Sequence, residues 1–158
     1  MFGGNVELSL KEYERKRDFE KTTEPKSEVP SKQGNTYVMH KHDASHLHYD
    51  LRLEMDGTLK SWAVPKEPPR SAGVKRLALA VEDHELDYAD FEGRIPDGEY
   101  GAGTVKIWDR GTYILKERTV HLIEFTLAGK KLKGDYVLIH TGENKWLLFK
   151  KKPKDVRE

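Results

Sequence analysis

Apolar and polar residues alternate with a period of two along most of this chain from Tyr37 onward. Such alternation puts successive side chains on opposite faces of a strand. It predicts strands at 47–54, 59–64, 76–82, 104–108, 121–127, 135–140 and 145–150. Turn-forming clusters separate them: Met55-Asp56-Gly57, Pro96-Asp97-Gly98, Asp109-Arg110-Gly111 and Thr141-Gly142-Glu143-Asn144. No long amphipathic helix interrupts the series, which disfavours a parallel βαβ sheet. A mainly β domain follows, built as an antiparallel barrel or sandwich.

The first third of a hundred residues reads differently. Residues 1–33 are polar, charged and poor in β-branched side chains. Ser9-Leu10-Lys11-Glu12 has the spacing of a capping box, so a short N-terminal helix through Phe19 is expected. Two prolines between Thr22 and Pro30 then predict an extended arm. The expected organisation is helix and arm at 1–33, a β domain at 34–150, and a disordered basic tail at 151–158.

Histidine is concentrated where the strands begin. Four of the seven histidines are His40, His42, His46 and His48. Alternation through 46–54 places Leu47, Tyr49, Leu51 and Leu53 on one face. His48, Asp50, Arg52 and Glu54 share the other, with neighbours on a face about 6.5–7 Å apart along the strand. An imidazole and a carboxylate at that spacing can converge on one cation, whereas an ordinary polar face has no need of such a set. In 76–84, Leu77, Leu79 and Val81 alternate with Arg76, Ala78, Ala80, Glu82 and His84. The paired alanines suggest a face that needs room, as a barrel interior would.

Composition narrows the chemistry. The chain of 158 residues has no cysteine, so disulfides and thiolate metal sites are excluded. A metal would be held by His, Asp or Glu. Twenty-eight basic and 27 acidic residues give a formal charge of +1, so any polyanion must be gripped by a local patch. No apolar run approaches a membrane span and the N-terminus is too charged for a signal peptide, which predicts a cytoplasmic protein that does not engage membranes. Neutral imidazoles and a carboxylate suit a divalent ion, arginine suits bidentate phosphate binding, and a further histidine could stabilise a reacting phosphate. Together these are an inventory for phosphoryl transfer.

The same residues carry a family resemblance. KHDASHLHYDLRLE at 41–54, SWAVPK at 61–66, VEDHELDYADFEG at 81–93 and IPDGEYGAG at 95–103 resemble, in order, the 3′-phosphoesterase domain of DNA ligase D. KRDF at 16–19 and TEP at 23–25 resemble its N-terminal element. The resemblance spans about Tyr13 to Lys150, and because the polymerase and ligase modules usual beside this domain fall outside the pattern, a stand-alone form is expected. It implies a small closed antiparallel β-barrel with its active site in a polar interior. The implied enzyme is Mn²⁺-dependent and heals DNA 3′ ends. It would remove a terminal ribonucleoside by phosphodiester cleavage, then hydrolyse the 3′-phosphate to a 3′-hydroxyl. The ligand chemistry alone admits Zn²⁺ or another divalent transition metal equally well.

By matching position, His42, His48 and Asp50 are the implied metal ligands. Arg52 and His84 would contact the reactive phosphate, and Tyr88 would support phosphate binding, chiefly for the monoester. Arg17, Asp18, Glu24, Lys66, Arg76 and Glu82 would form the surrounding shell. His40 and His46 fall outside the pattern; either could serve as a substitute ligand, but both read as bystanders. The implied partners are the 3′ ends of DNA or DNA/RNA primer-templates, with a separate ligase or end-joining factors nearby. Monomer is the default state.

Other motifs weigh less. The glycines of 98–103 have no following helix to present to a phosphate, so a tight hairpin or bulge with close backbone packing is expected. Lysines 130, 131 and 133 and 150–152 could touch a DNA backbone, although such runs are usually solvated. Trp62, Trp108 and Trp146 are expected in the core. Two competing readings remain, a cupin-like metalloenzyme using His46, His48 and Glu54, and a non-catalytic nucleic-acid-binding barrel.

Overall fold

In the computed structural model, which describes residues 34–98 and 102–153, the chain forms nine antiparallel strands and one 3-10 turn. The strands are β1 (Thr36–Asp43), β2 (Leu47–Met55), β3 (Thr58–Val64), β4 (Lys75–His84), β5 (Gly93–Ile95), β6 (Gly103–Arg118), β7 (Leu122–Gly129), β8 (Lys133–Gly142) and β9 (Lys145–Lys150). The 3-10 turn, Leu86–Asp90, lies between β4 and β5. The strand order β1-β2-β3-β4-β9-β8-β7-β6 closes through β1–β6 pairing, and β5 adds to the free edge of β6. The expected closed antiparallel barrel is therefore present, with eight strands in the ring. The expected N-terminal helix and arm lie outside the described residues.

Closure leaves no open edge on the ring and encloses one apolar core. Tyr37, Met39, Leu51, Leu53, Phe125, Tyr136, Leu138 and Leu148 are buried in it, drawn from strands all round the barrel. Ala78 and Ala80 also face inward. Their direct cross-strand partners are Trp146 and Trp62, whose rings meet edge to face at 5.9 Å. Small residues opposite indoles let the rings fill the barrel without overpacking. On β4 the large aliphatics are the ones turned out, and Leu77 is 42% exposed.

The turn chemistry is mostly as expected. Asp56 and Gly57 both have positive φ, 60° and 80°, the conformation of a two-residue hairpin whose twist matches its strands. Gly103 has φ 134° and lies against the Asp43 carbonyl, where a Cβ would collide, so β1 and β6 close tightly there. Asp109-Arg110-Gly111 differs. It is no turn but the middle of the 16-residue β6, beside an irregularity in the β1–β6 register. Asp109 is buried and its carboxylate accepts from the Tyr37 hydroxyl and the amides of Lys130, Lys131 and Leu132. Asp109 thus anchors a distant turn instead of making one. Past β9, Lys151 still donates its amide to the Asp135 carbonyl.

Candidate metal centre

The parity of β2 is borne out. Leu51 and Leu53 point into the core, while His48, Asp50 and Arg52 point the other way. Their cross-strand partners on β1 are His42, His40 and Val38, and on β3 Ala63 and Ser61 complete the layer. This layer is the outer face of the barrel. The polar site is consequently not in the interior, as expected, but on the outside of β1–β4. The interior is filled by the aromatic and aliphatic residues of the same strands, so the polar set has only the outward side to occupy.

A roof makes this outer face a site. The 3-10 turn packs Ala89 against Val38 and Leu59 and brings Tyr88 over the layer. The Phe91 carbonyl accepts from His40 Nε2 at 3.0 Å, and Glu92 accepts the Ile107 amide at 2.8 Å. Beneath the roof lies a cavity of ≈ 370 Å³ lined by His42, His48, Asp50, Arg52, His84 and Tyr88 among others.

His42, His48 and Asp50 form a group able to hold a divalent metal, with ligand atoms all within 4.8 Å of one another. His42 Nδ1 and His48 Nε2 stand 3.6 and 3.4 Å from the Asp50 carboxylate oxygens. Two ligands at about 2.1 Å in a tetrahedral shell are about 3.4 Å apart, so the donor set fits one ion. His48 Nδ1 donates to the His46 carbonyl at 3.2 Å, which leaves the Nε2 lone pair for the centre. Burial alone would raise the Asp50 pKa. Hydrogen bonds with His42 and His48 and the charge of Arg52 outweigh it and hold the carboxyl well below its usual range. The hydrogen bond with Asp50 raises the pKa of His48.

Arg52 is 3% exposed and nearly spent. Its Nε donates to His40 Nδ1 at 3.0 Å, Nη1 to Ser61 Oγ at 2.8 Å and to His84 Nδ1 at 3.1 Å, and Nη2 to Asp50 at 3.3 Å. A guanidinium has five N–H groups, so one on Nη2 is left over. The two-pronged phosphate grip expected from sequence would need one of these bonds to open. Tyr88 lies over the guanidinium at 4.9 Å and stacks on Phe91 at 4.9 Å.

His84 arrives by a route that alternation does not predict. In the β3–β4 register Leu59 faces His84 and Ser61 faces Val81, so β4 carries one extra residue there. The bulge flips the parity. Ala78 and Ala80 face the core, whereas His84 emerges on the outer face beside Arg52 and Tyr88, its ring 4.5 Å from that of Tyr88. Burial and then Arg52 push His84 down to about 4, so its ring is neutral at neutral pH. Because Nδ1 accepts from Arg52, the proton sits on Nε2.

The remaining expected residues divide. Glu82 lines the cavity and is exposed. Lys66 is exposed in the loop after β3, and Arg76 donates to the Glu67 carbonyl at 2.7 Å; neither lines the cavity. Arg17, Asp18 and Glu24 lie outside the described residues. His46 is exposed and contributes its carbonyl. His40 is no bystander: it is fully buried, and burial and then Arg52 push its pKa down to about 4. Its neutral ring joins the roof to Arg52. Parity along β1 with His42 would have placed it on this layer. Ser61 was also missed.

The profile of the DNA ligase D 3′-phosphoesterase domain matches residues 40–140. A multifunctional non-homologous end joining protein LigD from Pseudomonas aeruginosa is 51% identical over 160 residues, covering 94% of this chain and 19% of that protein. The corresponding DNA repair protein of Mycobacterium tuberculosis is 47% identical over 153 residues, covering 90% of this chain and 20% of that one. The chain thus spans about a fifth of the length of these relatives.

Proposed function

Because the chain belongs to the DNA ligase D 3′-phosphoesterase domain family, we propose that it is a metal-dependent hydrolase that heals DNA 3′ ends. It would act on a terminal ribonucleoside as a phosphodiesterase and on a 3′-phosphate as a phosphomonoesterase, leaving a hydroxyl for ligation. The observation that carries this reading is the joining of a metal-fit triad to a buried arginine and a neutral histidine under one roof. An oxygenase-type site acting on neutral substrates has no use for a guanidinium hydrogen-bonded to the carboxylate of the triad.

His42, His48 and Asp50 would hold the ion, with Mn²⁺ favoured by the family and Zn²⁺ compatible with the donors. When bound, the ion supplies charge neutralisation at the phosphate. Arg52 lends a fixed positive charge and its remaining Nη2 donor. His84 offers its Nε2–H as a neutral donor to a phosphate oxygen, and Tyr88 adds its hydroxyl at the edge of the cavity. Catalysis would then rest on positioning and electrostatics. Glu82 would shape the entrance. Arg17, Asp18, Glu24, Lys66 and Arg76 are proposed as the surrounding shell, with the cations facing phosphate and the carboxylates orienting them. A ligase and other end-joining factors are the natural partners, the product being what they need.

A primer-template ending in a 3′-phosphate, incubated with chelator, Mn²⁺, Mg²⁺ or Zn²⁺, tests the reading. Phosphate release supported by Mn²⁺ and abolished by His48→Ala is expected. Activity that persists in His48→Ala would reject the ligand set, and no release with any metal would reject the enzyme.

A further inference from the structure

The formal charge of +1 leaves room for a local cluster of cations. One end of the barrel gathers the start of β2, the end of β1, the loop after β3 and the turn between β7 and β8. Lys41 and Lys106 are direct cross-strand partners there, and both alternate with residues of the outer layer, so they point toward the mouth of the barrel. Lys41 also faces Tyr49, whose ring meets Trp108 edge-on at 5.4 Å. Over Trp108 lie the Arg70 guanidinium at 5.2 Å and the Lys131 ammonium at 5.0 Å. Like charges placed directly opposite destabilise a sheet. Arg70 pairs with the half-exposed Glu67 at 3.2 Å, but among the described residues no carboxylate pairs with Lys41, Lys106 or Lys131, so no ion pair in the described fold offsets that cost. Lysines that serve only solubility would have no reason to meet in this way.

The opposite end carries both signs, with Lys60 paired to Asp83 at 3.6 Å and Arg118 to Asp56 at 2.8 Å. Where β4 runs out it presents Glu82 and Asp83, followed by Glu85 and Asp87. A DNA strand whose 3′ terminus is in the cavity must leave it in one direction, and the exposed Glu82, Glu85 and Asp87 beside the cavity disfavour the path over the end of β4. Lys41 is the residue before His42, about 3.8 Å away along the backbone. Its side chain is on the face of β1 opposite His42, so the strand would pass over the rim of the barrel to reach it, within a few nucleotides of the terminal phosphate at about 3.4 Å of rise per nucleotide.

We propose that the barrel end formed by Lys41, Lys106, Lys131 and Arg70 is the surface on which the sugar-phosphate backbone of the substrate DNA lies, 5′ of the phosphate to be cleaved. This rests on the phosphoesterase reading and adds to it the direction of the strand. The lysine pair is kept apart by its own repulsion until a phosphate sits between the two ammonium groups.

The test is fluorescence anisotropy of a labelled primer-template bearing a 3′-phosphate, titrated in chelator between about 50 and 200 mM salt. Lys41→Gln/Lys106→Gln should weaken binding about tenfold and flatten the salt dependence by about 1.4–1.8 in log–log slope, two phosphate contacts' worth. Lys131→Gln should flatten it by about 0.7–0.9. Lys145→Gln, at the other end of the barrel, should change neither. Relief of the repulsion should keep or raise the Tm of the double variant, and its Mn²⁺ affinity should be that of the wild type. Affinity and slope unchanged in the double variant would overturn the surface even if the wild type releases phosphate. A lysine-dependent slope in a protein that never releases phosphate would instead overturn the catalytic reading and leave the surface standing.

Discussion

His40 accepts a hydrogen bond from Arg52 on Nδ1 while donating through Nε2 to the Phe91 carbonyl, so one buried imidazole ties the arginine of the site to its roof. Only the neutral ring with its proton on Nε2 can do both, and burial keeps it neutral. His40→Ala leaves an arginine N–H and a carbonyl without partners, each costing about 1–3 kcal/mol. The variant should unfold at lower urea and lose phosphate release, yet keep the metal affinity of the triad. Metal affinity falling with activity would place His40 in the ligand shell instead.

Metal binding should depend on pH through His48. Its hydrogen bond with Asp50 raises its pKa above the usual 6.5, so the proton competes with the ion at neutral pH. Affinity should therefore decline as pH falls through the neutral range, by up to about tenfold per unit for each proton displaced. Calorimetric titration across pH 5 to 8 reads this directly, and an affinity that is flat over that range would rule out histidine ligation.

Tyr88 reaches the cavity from the roof, stacked between Phe91 and the Arg52–His84 pair. Removing its hydroxyl while keeping the ring should spare the stacking. Tyr88→Phe is expected to slow 3′-phosphate hydrolysis by about tenfold or more, the worth of one hydrogen bond to a charged group, and to slow ribonucleoside removal less. Equal losses in single-turnover assays of the two steps would refute that division.

The barrel should open at alkaline pH. Burial and then Asp109 push the Tyr136 phenol up to about 12, burial and then Glu54 do the same for Tyr113, and Tyr37 is raised further beside Asp109. Phenols that ionise near pH 10 when unfolded but resist in the fold stabilise it fully below pH 10, and that contribution is lost as pH rises toward 12. Phenolate absorbance should appear for these tyrosines only as the circular dichroism of the sheet is lost. Full phenolate absorbance with the sheet intact would show that the phenols are not held.

Asp109 carries a separate load, four hydrogen bonds that join Tyr37 to the turn before β8. Asp109→Ala should cost about 3 kcal/mol or more in urea unfolding, since it strands buried donors. A cost below about 1 kcal/mol would mean that water replaces the carboxylate there.

The alternation of 47–54 by itself determined that His48, Asp50 and Arg52 share a face opposite Leu51 and Leu53, because side-chain direction in a strand is local. The sequence pattern also carried the β class and most hairpins, whereas His42 entered the set through the family resemblance and meets it through β1–β2 pairing. What tertiary structure decided was which side of the sheet is the inside. Barrel closure gave the interior to the apolar face, so the site had to lie outside, and a roof distant in sequence, with Phe91 51 residues from His40, had to cover it. The bulge that delivers His84, and the burial that turns His40 from a spare histidine into a strut, arise from pairing with β3 and packing under Phe91. No local pattern encodes them, because a strand's register and burial belong to its neighbours as much as to itself.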